Sequence, residues 1–326
     1  MKIGKIPESV LKRSVLKQIQ TKREEVLIGA DVGEDCAILT FQEEAVAVSV
    51  DPVTGAQSDV SRLAVQTAVN NVASAGAEPV AVMLSALLPV QITEEEIRSM
   101  VRQAEEACAA LCIELCGGHT EITDAVNRPV LTAIGIGKVR TKEIIRTGNA
   151  RPGQDIVITK WIGLEGTSIL AKAREQQLLS RFPTHLIEEA KSFDSFLSVV
   201  PEAATAVKSG VRAMHDVAEG GIFGALWELA ESSGVGLEVD LKKIPVRQET
   251  IEICNFLDIN PYELISGGSL LMTAENGYDL ARALEKAGIC AKVVGKVMEN
   301  NDRVVINEGE KRFLEPPKPD ALYQVQ

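Results

Sequence analysis

Residues 211–232 read VRAMHDVAEGGIFGALWELAES: a short apolar run, an acid-rich glycine turn, then an amphipathic stretch. Val211–His215 reads as a strand ending on His-Asp, and Ile222–Ser232 as a helix opened by Gly220 and Gly221. The free N–H groups and dipole of such a helix start favour an anion, with Asp216 and Glu219 beside it to hold the anion's metal. Outward from this unit the second half repeats the theme. A strand at Asp155–Lys160 leads through the loop Gly163–Thr167 into a helix from Thr167, and a mostly helical region runs to Gly210. Strands follow near Gly236–Val239, Ser269–Thr273 and Cys290–Val297, with a glycine loop at Ser266–Ser269 and a helix at Gly277–Ala287.

The first half mixes the same elements. Apolar residues at helical spacing predict a helix over Pro7–Ile19. Cys36–Thr40 and Ala45–Val50 read as strands joined by the turn Gln42-Glu43-Glu44. A helix is expected over Ser61–Gly76, a strand over Val80–Leu88, and a helix over Thr93–Leu111 with Thr93 and Glu96 at capping-box positions. Strands Ile113–Cys116 and Val130–Val139 complete it. Helices of this length between strands exclude a β-sandwich. The turn formers of Thr147–Gln154 mark the boundary, giving expected domains 1–148 and 149–326.

Composition narrows the function. The chain has 326 residues, 34 Lys+Arg against 46 Asp+Glu, and a net charge of −12. With no Lys/Arg-rich run, phosphate-backbone binding to DNA or RNA is not expected, because it depends on clustered cations. A small anion bridged by metal fits an acidic protein better. The most apolar stretch, Pro79–Val90, is about half the ~20 residues a bilayer span needs. The N-terminal residues form no continuous apolar signal core. Six cysteines at this length make no disulfide scaffold, so a cytoplasmic, reduced protein is expected. Cys108, Cys112 and Cys116 form no CxxC pair and read as buried thiols.

Five segments carry candidate chemistry. Glu34 and Asp35 precede an apolar strand, and Asp51 closes the strand Ser49-Val50-Asp51 before Pro52. Carboxylates on neighbouring strands suit hard cations against a polyphosphate, though each alone also fits a turn or a helix cap. Asn70 and Asn71 lie on a helix of small apolar residues, where buried amides need partners: a loop backbone or a ligand. In Cys116-Gly117-Gly118-His119-Thr120-Glu121, the glycines let backbone bend closely around a ligand, and His119 and Glu121 share a face if extended. The pair suits either a metal or a hydrogen-bonded structural role. His215–Gly224 is the fifth. No GxxxxGK[ST] or GxGxxG fingerprint occurs, so a nucleotide site would be neither P-loop nor Rossmann.

Taken in order, these segments resemble the superfamily of aminoimidazole ribonucleotide (AIR) synthetase, the HypE-type hydrogenase maturation factor, thiamine-monophosphate kinase and selenophosphate synthetase. The resemblance runs from Leu27 to Ile306. Its carriers are GED at Gly33–Asp35, SVDP at Ser49–Pro52, NNVASAGAEP at Asn70–Pro79 and GGHTE at Gly117–Glu121. In the second half they are GLEGTSIL at Gly163–Leu170, HDVAEGG at His215–Gly221 and SGGSLL at Ser266–Leu271. HDVAEGG and GGHTE are closest to the HypE branch.

The resemblance implies an α+β N-terminal domain whose mixed sheet joins a partner's strands in a dimer barrel, then an α/β C-terminal domain. It also implies ATP and Mg²⁺ in the cleft between them. Asp35, Asp51 and Asp216, with Glu34, would ligate metal, and Asp51, Asp216 and His119 would serve catalysis. Asn71, Gly118, Thr120, Glu121, Glu219, Gly220 and Gly221 would line the nucleotide, with Asp35. Asn71 stands where many members carry an acid, which removes a charge, and His119 stands where relatives often have an acid. HypE carries its carbamoyl group on a terminal cysteine, whereas the last cysteine here is Cys290. The HypE reaction on a tail thiol is therefore not expected in cis. The expected function is an ATP- and Mg²⁺-dependent enzyme activating or phosphorylating a small acceptor, as a homodimer with a possible maturation-pathway protein partner. The alternatives are a non-catalytic nucleotide-binding accessory protein and a substrate-handling protein that binds no nucleotide.

Overall fold

The computed structural model describes residues 8–19, 23–54 and 59–325, which fall into two compact units. One comprises Arg23–Gly29 and Asp35–Ile144. The other comprises 8–19, 30–34 and 145–325. Pro7 lies outside the described residues. After it, the expected helix is a single α-turn, α1 (Glu8–Val10), continued by a π-turn (Leu11–Val15) and a 3₁₀ turn (Leu16–Gln18). None of its residues is fully buried, and the ties of Glu8 to Trp227 and of Lys12 to Glu231 are polar, so no apolar core face holds it to one regular helix.

The first unit is a six-stranded sheet in the order β1 (Val26–Ile28), β2 (Ala37–Phe41), β3 (Glu44–Val53), β6 (Val130–Arg140), β4 (Glu78–Pro89), β5 (Glu114–Thr123). All neighbours are antiparallel except β4 and β5. Helices α2 (Val60–Ser74) and α3 (Glu94–Ala110) lie between these strands in the chain, and α2 packs on β3 and β6. Alternation along the strands sends Ala45, Ala47, Val82, Leu84, Leu131 and Ala133 into the core. Thr93 caps α3 through a complete capping box with Glu96, as its sequence predicts.

Three expectations change here. Asp51 does not end its strand: β3 runs to Val53, and Asp51 pairs with Ala133 on β6. Pro52 is tolerated because β2 pairs with β3 only from Glu44 to Val48, so that side of the ladder is already free. The strand expected over Ile113–Cys116 runs on through the GGHTE segment, which forms the body of edge strand β5. Of the three spaced cysteines only Cys108 is buried. Cys112 occupies a left-handed turn after α3 and Cys116 the exposed edge strand.

The second unit centres on a seven-stranded sheet in the order β13 (Glu310–Phe313), β12 (Arg303–Asn307), β9 (Gly236–Asp240), β11 (Ala291–Met298), β7 (Asp155–Thr159), β10 (Ser269–Ala274), β8 (Ala213–Val217). Only β12 and β9 run parallel. Strands β7, β8 and β10 are buried at every position, which explains their unbroken apolar character in the sequence. The helices are α4 (Leu164–Ala173), α5 (Glu175–Leu179), α6 (Thr184–Ser192), α7 (Val200–Lys208), α8 (Gly221–Ser233), α9 (Gln248–Leu257) and α10 (Gly277–Lys286). Helix α8 buries Ile222, Ala225, Leu226 and Leu229 in the core with Ile156, Ile158 and Leu271. No helix of the described residues is long and apolar enough to cross a membrane.

Candidate functional site

In the first unit Asp35, Asp51 and Asn71 gather on one side of α2. Asn71 is buried, and its Nδ2 donates to Ser49 Oγ at 2.8 Å and to Asp51 Oδ2 at 2.5 Å. Ser49, two residues before Asp51 and so on the same face of β3, donates to Asp51 Oδ2 at 3.0 Å. One turn along α2, Ser74 Oγ lies 2.8 Å from Asp35 Oδ2 and 2.7 Å from the Asn71 carbonyl, sharing one proton between them. Asn71 and Ser74 meet the two acids because positions three apart share a helix face. Asp35 and Asp51 are thus oriented by neutral donors on a rigid, buried helix. Oxygen donors of this kind suit a hard cation such as Mg²⁺. The partners of Asn71 are side chains of the acid-bearing strand, not a loop backbone.

Gly118 does not bend the backbone around a ligand. A Cβ there would lie 1.9 Å from the Leu84 carbonyl oxygen, so glycine is what allows β5 to pair with β4. His119 and Glu121 do share a face, with Nε2 and Oε2 3.3 Å apart. Both side chains are more than half exposed, and Thr120 is exposed too.

In the second unit β8 runs one residue past His-Asp, to Val217, so both side chains lie inside the protein. His215 Nε2 is 2.9 Å from Glu228 Oε2 on α8, and its Nδ1 is 3.3 Å from Thr147 Oγ1. Asp216 is buried at the position paired with Leu270. Gly220 and Gly221 take the left-handed conformations that open α8. At Gly221 a Cβ would also meet the Tyr262 carbonyl at 2.6 Å. The Gly220 N–H is not free for a phosphate: it donates to Asp320 Oδ2 at 2.7 Å. Glu34 lies in this unit and is held by Arg146, whose Nη2 is 2.7 Å from Oε1.

Asp320 and Glu165 form an acidic neighbourhood with Glu219. Burial, reinforced by the charge of Asp320, pushes the Glu165 carboxyl up to about 7. Burial likewise pushes Asp320 up to about 6, against the N–H groups of Leu322, Gly220 and Ile265 that favour its charged form.

Ser49, Ser74, Thr147, Glu228 and Asp320 were not singled out by sequence. Ser49 and Ser74 had a signal, lying two and three residues from Asp51 and Asn71 on the same faces. Asp320 had none: it stands among Pro316, Pro317 and Pro319, with no motif or period beside it.

Residues 33–139 match the model of the AIR synthase related protein N-terminal domain, and residues 151–307 match that of the C-terminal domain. A putative hydrogenase expression/formation protein of Methanocaldococcus jannaschii is 27% identical, over 99% of this chain and 97% of its own. A thiamine-monophosphate kinase of Methanospirillum hungatei is 30% identical over 68% of this chain and 73% of its own. Among solved structures, hydrogenase maturation protein HypE in complex with ATP superposes with a TM-score of 0.73 at 19% identity, covering 96% of this chain and 95% of that one. A chain of a HypE–HypF complex gives a TM-score of 0.74 at 21% identity, covering 87% of this chain and 93% of that one. With the models of both domains matched in order, the chain belongs to the AIR synthase related family.

Proposed function

We propose that the chain is an ATP- and Mg²⁺-dependent enzyme that activates or phosphorylates a small acceptor. One observation carries this reading: α2 orients two carboxylates through neutral donors, Asp51 through Asn71 and Asp35 through Ser74. Carboxylates pre-positioned by a buried helix suit a hard cation such as Mg²⁺. Asp35, Asp51 and Asp216 would hold Mg²⁺, with Glu34 and Glu219 as further acids nearby in sequence. Bound Mg²⁺ would supply charge neutralisation for phosphoryl transfer, in which positioning and electrostatics dominate. Because the Gly220 N–H is committed to Asp320, the anion-holding share expected of Gly220 and Gly221 passes largely to the carboxylate-held cation. Gly118, His119, Thr120 and Glu121, on an exposed edge strand, would meet nucleotide or acceptor from solvent.

The test is turnover. Asp51→Asn and Asp216→Asn should each abolish Mg²⁺-dependent ATP hydrolysis while leaving the circular dichroism spectrum unchanged. Normal turnover in both variants overturns the assignment.

A second reading is a nucleotide-binding accessory protein of a maturation pathway, working with a protein partner. Asn71 favours it, since it adds a hydrogen bond to Asp51 but no charge for a second metal. Calorimetric binding of Mg²⁺–ATP without hydrolysis, across a panel of small acceptors, would select this reading. The name of the M. jannaschii relative and the HypE–HypF complex support a maturation context for either.

A further inference from the structure

The three glycine loops of the second unit meet at a side chain that belongs to none of them. Loop Gly163–Thr167 joins the 265–268 loop through Gly163 N–H to Ser266 Oγ at 2.7 Å and Gly166 N–H to the Ile265 carbonyl at 3.0 Å. The Ser266 N–H in turn donates to the Ala218 carbonyl at 3.3 Å, tying in the loop after β8. At this junction sits Asp320, almost wholly buried. Its Oδ2 accepts from Gly220 N–H at 2.7 Å and its Oδ1 from Leu322 N–H at 2.9 Å, and the Ile265 N–H also reaches it. The charges of Glu165 in the first loop and Glu219 in the third both act on this carboxylate.

We infer that Asp320 is a positioning residue for the proposed Mg²⁺–ATP site: it fixes the loop between β8 and α8, and so the placement of Asp216 and Glu219. The inference rests on the function proposed above. The route of the chain explains why one side chain has this effect. Between Leu314 and Lys318 the segment stands off α8 across a cavity of about 440 Å³, floored by Gly220 and Gly224 and walled by the stacked rings of Phe223 and Tyr262. It returns to the helix start at Asp320. Buried Ala321 and Leu322, and a hydrogen bond from Arg174 to the Val325 carbonyl, hold it there. The loop is thus clamped at its β8 end by His215, through Glu228 and Thr147, and at its α8 end by Asp320. Three N–H groups would lose a buried acceptor without it, and each would need water or a rearranged loop.

The test uses the full chain carrying Asp320→Ala or Asp320→Asn, with Mg²⁺–ATP titrated calorimetrically and amide hydrogen exchange followed across 216–224. Asp320→Ala should weaken Mg²⁺–ATP binding about tenfold, while ATP binding in EDTA changes by less than about twofold. Exchange across 216–224 should accelerate in step. Asp320→Asn, which keeps one acceptor oxygen, should fall between the two, and it carries the comparison if the alanine variant does not fold. A role confined to holding down 315–325 would lower the unfolding midpoint and leave Mg²⁺–ATP affinity and exchange across 216–224 unchanged. That result overturns the inference alone. A wild-type chain that fails to bind Mg²⁺–ATP overturns the functional reading with it.

Discussion

Asn71 sits on the buried face of α2 and gives its amide protons to Asp51 and Ser49. An aspartate at this position would face Asp51 as a second negative charge at hydrogen-bond distance, a pair that needs a cation or a shared proton. The amide removes that demand and orients Asp51 by a hydrogen bond. Glu165 shows the opposite case, an acid kept where charge is disfavoured. Its ordinary value of 4.5 rises to about 7 through burial and the neighbouring acids. Between those two values the unfolded chain has released this proton and the folded chain keeps it. Stability therefore falls as pH rises through that window and levels off above it. Glu165→Gln should flatten this slope and raise stability at pH 8 by on the order of 2–3 kcal/mol at most, measured by urea denaturation across pH. An unchanged slope would show that Glu165 titrates normally.

Edge strand β5 and its neighbour β4 are held close by glycine. Glu114–Thr123 was legible as a strand only up to Cys116, because two glycines, a histidine and an acid carry no strand pattern of their own. Pairing with β4 from Ala81 to Pro89 supplies what propensity lacks. Gly118→Ala forces a Cβ onto the Leu84 carbonyl, so it should release β5 while sparing the second unit. Exchange protection should drop across 114–123 and persist in β7, β8 and β10; intact β5 protection would contradict this. Helix α2 was legible almost end to end, since its small apolar residues have no other use than burial. The helix over Pro7–Ile19 was legible in pattern yet not in form: without burial, periodicity alone did not hold a regular α-helix.

At the scale of the whole molecule, each unit has its own sheet and core, and the first leaves one sheet face uncovered. Val50 and Met83 lie on that face, alternating with Ser49, Val82 and Leu84, which point to the helices, and both are exposed. An apolar sheet face of this kind invites a partner surface, and we propose a second copy of the chain, in a dimer barrel. Wild-type protein should sediment as a dimer and Val50→Arg as a monomer with an unchanged circular dichroism spectrum. A monomeric wild type at micromolar concentration would end that proposal. Sequence by itself determined the family and much of the order of strands and helices, and it singled out Asp35, Asp51 and Asp216 as candidates. These are local matters: periodicity, turn chemistry and short motifs are written within a few residues of one another. Only tertiary structure decided that Asn71 and Ser74 orient Asp51 and Asp35, and that Glu228 and Thr147 hold His215. It alone showed that Asp320, a hundred residues from Gly220, fills the helix start expected to take a phosphate. Hydrogen bonds between segments distant in sequence leave no period and no motif. Burial alone makes them obligatory.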